Sequence, residues 1–236
     1  MIGMGAFVRW ATERFDNAMA LNLANVERAL SAAPAHGSLL DLGCADGERT
    51  MTFARAARAA SIHGVEVTPE HAEAARSRGI EVVESDLNAE LPFADASFDV
   101  VVSNQVIEHL ADTDTFVREI RRVLRSGGLA VTSTENLASW HNLGALLLGW
   151  QPFSLTNVST TRCGIGNPAA LHRGEEPELR SWEHLRVFAY RGLRELFEAH
   201  GFTIRTVFGA GYYPLPARAG VWEPRYAAFL TVAASG

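Results

Sequence analysis

The 236-residue chain contains no lysine, since all 21 of its basic residues are arginine. This absence excludes several kinds of active site. The protein cannot form a lysine Schiff base with a carbonyl substrate, and it cannot place a P-loop lysine under a phosphate group. It also lacks the Tyr-x-x-x-Lys pair that short-chain dehydrogenases use. Any catalysis therefore relies on other side chains.

Cysteine and long apolar runs are also scarce. Cys44 and Cys163 are the two cysteines of the chain, so we expect neither a disulfide framework nor a zinc cluster. No apolar run approaches the roughly 18 residues of a membrane-spanning helix. Residues 1–10 lack the basic and apolar regions of a secretion signal. The composition favours a cytoplasmic protein without stable membrane insertion.

Positive charge is in deficit, and the deficit lies in one part of the chain. The formal net charge is −6 at pH 7. Residues 1–134 hold 12 arginines against 19 acidic residues, whereas residues 135–236 hold 9 against 8. Because nucleic-acid-binding domains usually present a basic patch, we expect no nucleic-acid partner.

Strands and helices alternate five times along the first 134 residues. Apolar periodicity and capping residues predict strands at 38–42, 61–67, 80–84, 98–102 and 129–134. They predict helices at 15–33, from 46 to about 60, at 69–77 and at 112–125. Thr68 and Pro69 form a typical start for the helix that follows the second strand. This alternation predicts a parallel sheet with helices on both faces.

The alternation stops after residue 134. A short amphipathic piece at 140–150 leads into a polar, glycine-containing loop that extends to 167, and connections of this length are usually lids or binding loops. A helix at 190–200 and strands at 202–207 and 226–233 then complete the sheet. We predict a single domain with a helical cap (1–36), a binding core (37–134), a lid insertion (135–188) and a C-terminal completion of the sheet (189–236).

The first predicted strand ends in the turn Asp41-Leu42-Gly43-Cys44-Ala45-Asp46-Gly47. The missing Cβ atoms of Gly43 and Gly47 allow a sharp turn and a close approach of a ligand. Open α/β sheets bind nucleotides at such turns. Glu66 ends the second strand, where an acid can accept hydrogen bonds from a ribose diol. Asp86 follows the third strand, where it can accept a hydrogen bond from the amino group of adenine.

Several segments of the first 134 residues together carry a family pattern. They are 39–47, Gly64-Val65-Glu66, Ser85-Asp86-Leu87, Leu91-Pro92-Phe93 with Ser97-Phe98-Asp99, Val106-Ile107-Glu108-His109-Leu110, and 124–128. In this combination, residues 37–134 resemble the class I S-adenosylmethionine-dependent methyltransferases motif by motif. The resemblance implies a Rossmann-like, seven-stranded and mostly parallel sheet with an antiparallel last strand, followed here by a lid insertion after the fifth strand.

The resemblance also implies a cofactor, S-adenosyl-L-methionine, which is converted to S-adenosyl-L-homocysteine. Asp41, Gly43 and Gly47 would surround its methionine and sulfonium end, and Glu66 its ribose. The predicted cofactor-binding residues are Asp41, Gly43, Cys44, Gly47, Glu66, Val67, Asp86, Leu87, Asn104 and Gln105. Ala45 stands where many members of the family have glycine, and we expect this methyl group to change the packing only slightly.

Methyl transfer from a sulfonium needs alignment and a dry site more than it needs reactive side chains. A general base is required when the acceptor is a hydroxyl group, and histidine suits this role near neutral pH. The predicted catalytic residues are His109, His141 and His184. No metal site is predicted, although Glu108, Glu135 and a histidine could together hold a divalent ion.

A missing motif narrows the class of methyl acceptor. After the fourth strand the chain reads Ser103-Asn104-Gln105-Val106, without the Asn-Pro-Pro-Tyr type of motif that methylates adenine, cytosine or glutamine amides. We predict a monomeric or homodimeric enzyme that methylates a small-molecule acceptor at oxygen. The aromatic residues Trp140, Trp150, Trp182 and Trp222 could form a wall for a partly apolar acceptor.

Three alternatives remain open. The first is N- or C-methylation of a small metabolite. The second is a dinucleotide-dependent oxidoreductase, although the Gly-x-Gly-x-x-Gly pattern and the Tyr/Lys pair are both missing. The third is a nucleotide-binding module without activity, in which the lid closes a site that receives no acceptor.

Overall fold

The computed structural model describes residues 4–177 and 183–236, and Trp182 lies outside this part. Its centre is a seven-stranded sheet in the order β3-β2-β1-β4-β5-β7-β6. The strands are β1 (Ser38–Leu42), β2 (Ser61–Glu66), β3 (Glu81–Glu84), β4 (Phe98–Asn104), β5 (Leu124–Glu135), β6 (Thr203–Ala210) and β7 (Phe229–Ser235).

The strand pairing confirms the predicted fold class. Strands β1 to β5 pair in parallel, with Leu40 of β1 opposite His63 of β2 on one side and Val101 of β4 on the other. Strand β7 runs antiparallel to both β5 and β6. The carboxyl ends of the five parallel strands therefore lie at one edge of the sheet, where open α/β folds bind their ligands.

Helices cover both faces of the sheet. They are α1 (Met4–Leu30), α2 (Glu48–Ala57), α3 (Pro69–Ser77), α4 (Thr113–Val123), α5 (Trp140–Leu147), α6 (Tyr190–Ala199) and the single turn α7 (Ala219–Trp222). Successive residues of β1 point to opposite faces. Leu39 packs in one core with residues of α1 and α2, and Leu40 packs in the other with residues of α4 and α6.

Two element boundaries differ from the prediction by more than three residues. Helix α4 ends at Val123, and β5 begins at Leu124 rather than at residue 129. Leu124 is buried and pairs with Phe98 before a bulge, so the chain passes from helix to strand without a loop. Helix α1 begins at Met4 instead of residue 15. The added turns place Trp10 and Ala11 in the wall of a cavity. The spacing of apolar residues indicates where a helix packs on the sheet, so it could not indicate these turns.

Amide side chains attach the segment between β5 and α6 to the sheet. Asn136 Nδ2 donates to the carbonyl oxygens of Arg225 and Ala227. Asn142 Nδ2 donates in turn to the Asn136 carbonyl and to Ser154 Oγ. These bonds fix α5 beside the carboxyl end of β5. No helix in residues 4–177 and 183–236 is both long and apolar enough to cross a membrane.

Candidate active site

The turn after β1 is held by packing on two sides. Gly43 and Gly47 both have positive φ, at 80° and 83°, which is a conformation that favours glycine. Gly43 N donates to the carbonyl of Val65 at 2.8 Å. A Cβ atom on Gly43 would lie 2.5 Å from Val106 Cγ2. The turn is therefore in close contact with β2 and with the residues that follow β4.

Glu66 supports this turn directly. Its Oε2 accepts the backbone N–H of Ala45 at 2.9 Å, and its Oε1 accepts the N–H groups of Val67 and Thr68 at 3.0 and 2.9 Å. A carboxylate offers about four acceptor positions. With these three bonds intact, Glu66 retains one acceptor position, on Oε2.

Asp41 and Cys44 lie beneath the turn. Thr50 Oγ1 of α2 donates to Asp41 Oδ2 at 2.7 Å. Burial raises the pKa of Asp41 to about 7, although the bond from Thr50 opposes this shift. The side chain of Cys44 is buried against Gly64, where a Cβ atom would lie 2.6 Å from Sγ. Both side chains thus face the protein interior and shape the turn from below.

The ends of β2 and β3 are more open. Val67 is 60% exposed, and the exposed Asp86 accepts bonds from the backbone and side-chain nitrogens of Asn88. Leu87 beside it is buried. Asn88 Oδ1 accepts the N–H of Ala111 at 2.8 Å. The predicted adenine-binding pair therefore lies on a turn that is tied to the start of α4.

Asn104 and Gln105 stand at the end of β4. Gln105 has a left-handed backbone (φ 57°), and its Nε2 donates to Ser133 Oγ at 3.2 Å. Asn22 of α1, which is fully buried, donates to Asn104 Oδ1 at 3.3 Å. Asn22 also accepts bonds from the hydroxyls of Ser133 and Thr231. No local sequence pattern indicated Asn22, because its partners lie more than 80 positions away along the chain.

A cavity of about 990 Å³ begins beside Gln105. Its lining comes from α1, the turn after β4, the insertion and the loop before α7. The three predicted catalytic histidines, His109, His141 and His184, all belong to this lining. So do the aromatic residues Trp10, Phe15, Trp140, Trp150, Phe153, Tyr213 and Phe229. In contrast, Trp222 is 86% exposed and does not line the cavity.

His184 and Glu135 form an ion pair in the cavity wall. His184 Nδ1 lies 3.5 Å from Glu135 Oε2 and donates its proton to the carbonyl of Ser154 at 2.7 Å. Burial opposes the protonation of His184, but Glu135 outweighs burial and raises the pKa of His184 to about 9. Burial likewise opposes the ionisation of Glu135, and the His184 cation lowers its pKa. Both groups are charged at neutral pH.

His109 is neutral and has a defined tautomer. Its Nδ1 lies 3.0 Å from the carbonyl oxygen of Glu183, and because that oxygen can only accept, Nδ1 carries the proton. Nε2 therefore presents a lone pair. Burial, followed by the charge of His184 whose ring lies 4.9 Å away, lowers the pKa of His109. The Glu108 carbonyl accepts the N–H of Leu185 at 2.7 Å, which brings these segments together.

The Glu108 side chain is buried beneath the same wall. Thr134 Oγ1 donates to Glu108 Oε2 at 2.9 Å. Burial raises the pKa of Glu108 to about 7. Among the residues that the structure describes, no group of three or more His, Cys, Asp or Glu side chains is arranged to hold a metal ion.

His141 occupies the α5 side of the cavity between two aromatic rings. Its ring centroid is 5.4 Å from Phe153 and 4.9 Å from Tyr213. Burial lowers its pKa to about 4, against the opposing charge of Glu135. Nε2 is 3.4 Å from Ser139 Oγ. Nδ1 is buried and has no hydrogen-bond partner in the described part of the chain.

Comparison with known proteins relates the first half of the chain to one protein family. Residues 40–132 match the family model described as a methyltransferase domain. A probable S-adenosylmethionine-dependent methyltransferase of Mycobacterium tuberculosis is 44% identical over 98 residues, which are 42% of this chain and 35% of the relative. A ubiquinone biosynthesis O-methyltransferase of Chelativorans sp. is 33% identical over 125 residues, 50% of this chain and 48% of the relative.

The chain spans between about a third and a half of the length of these curated relatives. Among solved structures, an S-adenosylmethionine-dependent methyltransferase from Thermotoga maritima has a TM-score of 0.61 and is 20% identical over 97% of both chains. That likeness extends through the insertion and the last two strands, so the whole chain shares this fold.

Proposed function

We propose that the chain is a class I S-adenosylmethionine-dependent methyltransferase that transfers a methyl group to an oxygen atom of a small, largely apolar acceptor. One observation carries this proposal. The aromatic cavity that contains His109, a neutral imidazole with a free lone pair, begins at Gln105, where the predicted cofactor edge ends. A methyl donor and a hydroxyl acceptor can therefore meet there.

The residues at the sheet edge fit the cofactor by their chemistry. Glu66 can accept a hydrogen bond from a ribose hydroxyl at its open position, and Asp86 can accept one from the amino group of adenine. Asn104, Gln105 and the glycine turn are suited to hold the methionine part. When it is bound, the cofactor supplies a methyl group on a positively charged sulphur. These assignments are part of the proposal.

His109 is the proposed general base. Its Nε2 lone pair can take the proton of the acceptor hydroxyl as the oxygen attacks the methyl group. His184 is unsuited to this role in its resting state, because its imidazole already carries the proton that pairs with Glu135. We propose that His184 instead keeps His109 neutral through its own positive charge.

The choice of oxygen has two supports. A buried neutral base is needed for a hydroxyl acceptor, whereas an amine can attack in its neutral form without one. One relative that shares half of this chain is described as an O-methyltransferase. N- or C-methylation remains the alternative, as does a nucleotide-binding module that receives no acceptor.

The proposal is tested first by calorimetry and then by mass spectrometry. S-adenosylhomocysteine should bind and NAD should not. In a screen of apolar hydroxyl compounds, the product should gain the mass of one CH₂. His109→Ala should reduce turnover by about 10²- to 10⁴-fold at unchanged cofactor affinity, while His71→Ala on α3, outside the cavity lining, should not. Equal rates for the two variants would remove His109 from the mechanism.

A further inference from the structure

Two buried polar atoms belong to residues of the cavity wall and have no hydrogen-bond partner in the described part of the chain. They are Glu135 Oε2 and His141 Nδ1, and both residues line the cavity. Glu135 is already charge-paired with His184, but the Nδ1 proton of His184 is directed to the Ser154 carbonyl at 2.7 Å. Glu135 Oε2 is therefore attracted by the positive charge of His184 but accepts no hydrogen bond in the described part of the chain. Such atoms are costly to bury unless a partner satisfies them.

The chemistry of the two atoms defines their partner. An ionised carboxylate only accepts hydrogen bonds, whereas a neutral imidazole nitrogen either donates or accepts according to its tautomer. A hydroxyl group both donates and accepts, so it can bond to a carboxylate oxygen and equally to an imidazole nitrogen in either tautomer. A cationic ammonium is less suitable, because the His184 cation already balances the charge of Glu135.

The surroundings define the rest of the ligand. The rings of Phe153 and Tyr213 flank His141 at 5.4 and 4.9 Å. Trp10, Phe15, Trp140, Trp150 and Phe229 add further rings to the lining of this cavity of about 990 Å³. A flat apolar skeleton fits such a space. His184 is close to both His109 and Glu135: its ring is 4.9 Å from the ring of His109, and its Nδ1 is 3.5 Å from Glu135 Oε2.

We propose that Glu135 and His141 form a hydroxyl-binding subsite, which anchors a second hydroxyl group on the apolar skeleton of the acceptor and so selects acceptors that carry one. This inference rests on the proposed function, because the methylated hydroxyl is the one at His109. It changes the predicted role of His141 from base to anchor, and it gives Glu135 a direct contact with the acceptor.

The test measures binding rather than turnover. Three naphthalene probes differ in one substituent: 2-naphthol, 2-methoxynaphthalene and 2-(aminomethyl)naphthalene. Each is titrated at pH 7 into the full chain saturated with S-adenosylhomocysteine, which has no methyl group to transfer. The wild type should bind 2-naphthol about tenfold more tightly than the methoxy compound, as expected for the loss of hydrogen bonds in a buried site. Equal affinity for these two probes, or tightest binding of the amine, would overturn the subsite.

Two variants locate the preference. His141→Phe keeps an aromatic ring between Phe153 and Tyr213, and Glu135→Met keeps the side-chain length without the oxygens. Each should reduce the preference for 2-naphthol to below about threefold, and His71→Phe on α3 should retain it. Unchanged affinity for S-adenosylhomocysteine identifies the variants that have folded. A folded variant of either residue that retains the full preference would contradict the proposal.

The two proposals fail in distinguishable ways. If S-adenosylhomocysteine does not bind, the proposed function fails, and the same probes are then titrated into the protein alone. If S-adenosylhomocysteine binds but the probes are not distinguished, only the subsite fails. A preference for 2-naphthol that is lost in both variants supports the subsite whichever atom of the acceptor is methylated.

Discussion

The sheet edge around Glu66 and the cavity around Glu135 treat buried carboxylates in opposite ways. Glu66 has three backbone N–H donors within 3.0 Å, and Asp41 has the hydroxyl of Thr50. Glu135 has an ion pair, yet its Oε2 has no hydrogen-bond partner among the residues that the structure describes. The protein itself supplies most of the hydrogen bonds of Glu66, whereas we propose that a ligand supplies the missing bond of Glu135.

The two regions also differ in how the chain assembles them. The edge is built from two neighbouring parallel strands and the turns that follow them. The cavity combines α1, the turn at 107–109, the insertion and residues near 213. A change in the insertion can therefore alter the cavity without disturbing the glycine turn. If the edge binds the cofactor and the cavity binds the acceptor, as we propose, this separation allows one type of edge to serve different acceptors.

The largest expected effect comes from breaking the edge at Gly43. Gly43→Ala requires a left-handed alanine and places its Cβ 2.5 Å from Val106 Cγ2, so we expect a loss of about 2 to 4 kcal/mol in the free energy of unfolding. Gly79→Ala is the matched control, because Gly79 has a similar φ of +86° with no atom within 4 Å. It should cost about 1 kcal/mol. Urea unfolding measures both, and equal losses would mean that the Val106 contact is unimportant.

The next effect tests the charge in the cavity. His184 has a folded pKa raised from 6.5 to about 9, so its pairing with Glu135 stabilises the protein fully below about pH 6.5 and ceases to do so as the pH rises through 9. His184→Ala should cost about 3 kcal/mol near pH 6, and the difference from the wild type should shrink by pH 10.

Two measurements check this expectation. Urea unfolding of both proteins at several pH values gives the difference in stability. NMR titration of the histidine rings should show His184 titrating near pH 9 and His141 titrating only near pH 4. A difference in stability that stayed constant from pH 6 to 10 would contradict the ion pair.

A smaller effect is expected at the edge when its carboxylate is removed. Glu66→Ala should weaken binding of S-adenosylhomocysteine by about 10- to 100-fold, through a lost ribose bond and through a turn whose three amides are left unpaired. Glu84→Ala is the control, since Glu84 ends β3 but forms only a surface ion pair with Arg76. Calorimetry should show no change in affinity for Glu84→Ala. The same result for Glu66→Ala would exclude Glu66 from the site.

The smallest effect is expected outside both regions. Trp222→Ala removes an 86% exposed ring that does not line the cavity, so the free energy of unfolding should change by less than about 0.5 kcal/mol. Trp140→Ala should cost more, because Trp140 lines the cavity and stacks on Tyr226 at 4.8 Å. If Trp222→Ala weakened the binding of 2-naphthol, the acceptor site would extend beyond the cavity.

Most of the fold could be predicted from local patterns. Apolar runs, capping residues and glycine positions located every strand of the sheet, because these signals act over a few residues. The errors occurred where tertiary contacts decide the outcome. Leu124 joins the sheet because it pairs with Phe98. The first turns of α1 were not predicted, because they contribute Trp10 to the wall of the cavity rather than packing on the sheet.

The sequence by itself determined where the strands lie along the chain, and it predicted that Asp41, Glu66 and Asp86 lie at the same edge of the sheet. It did so because parallel strands place their carboxyl ends on the same side. Only the tertiary structure decided the charge states of the three histidines. His184 carries a proton because Glu135, nearly fifty positions earlier in the chain, lies 3.5 Å away. His141 and His109 remain neutral because burial removes the water that would stabilise their cations.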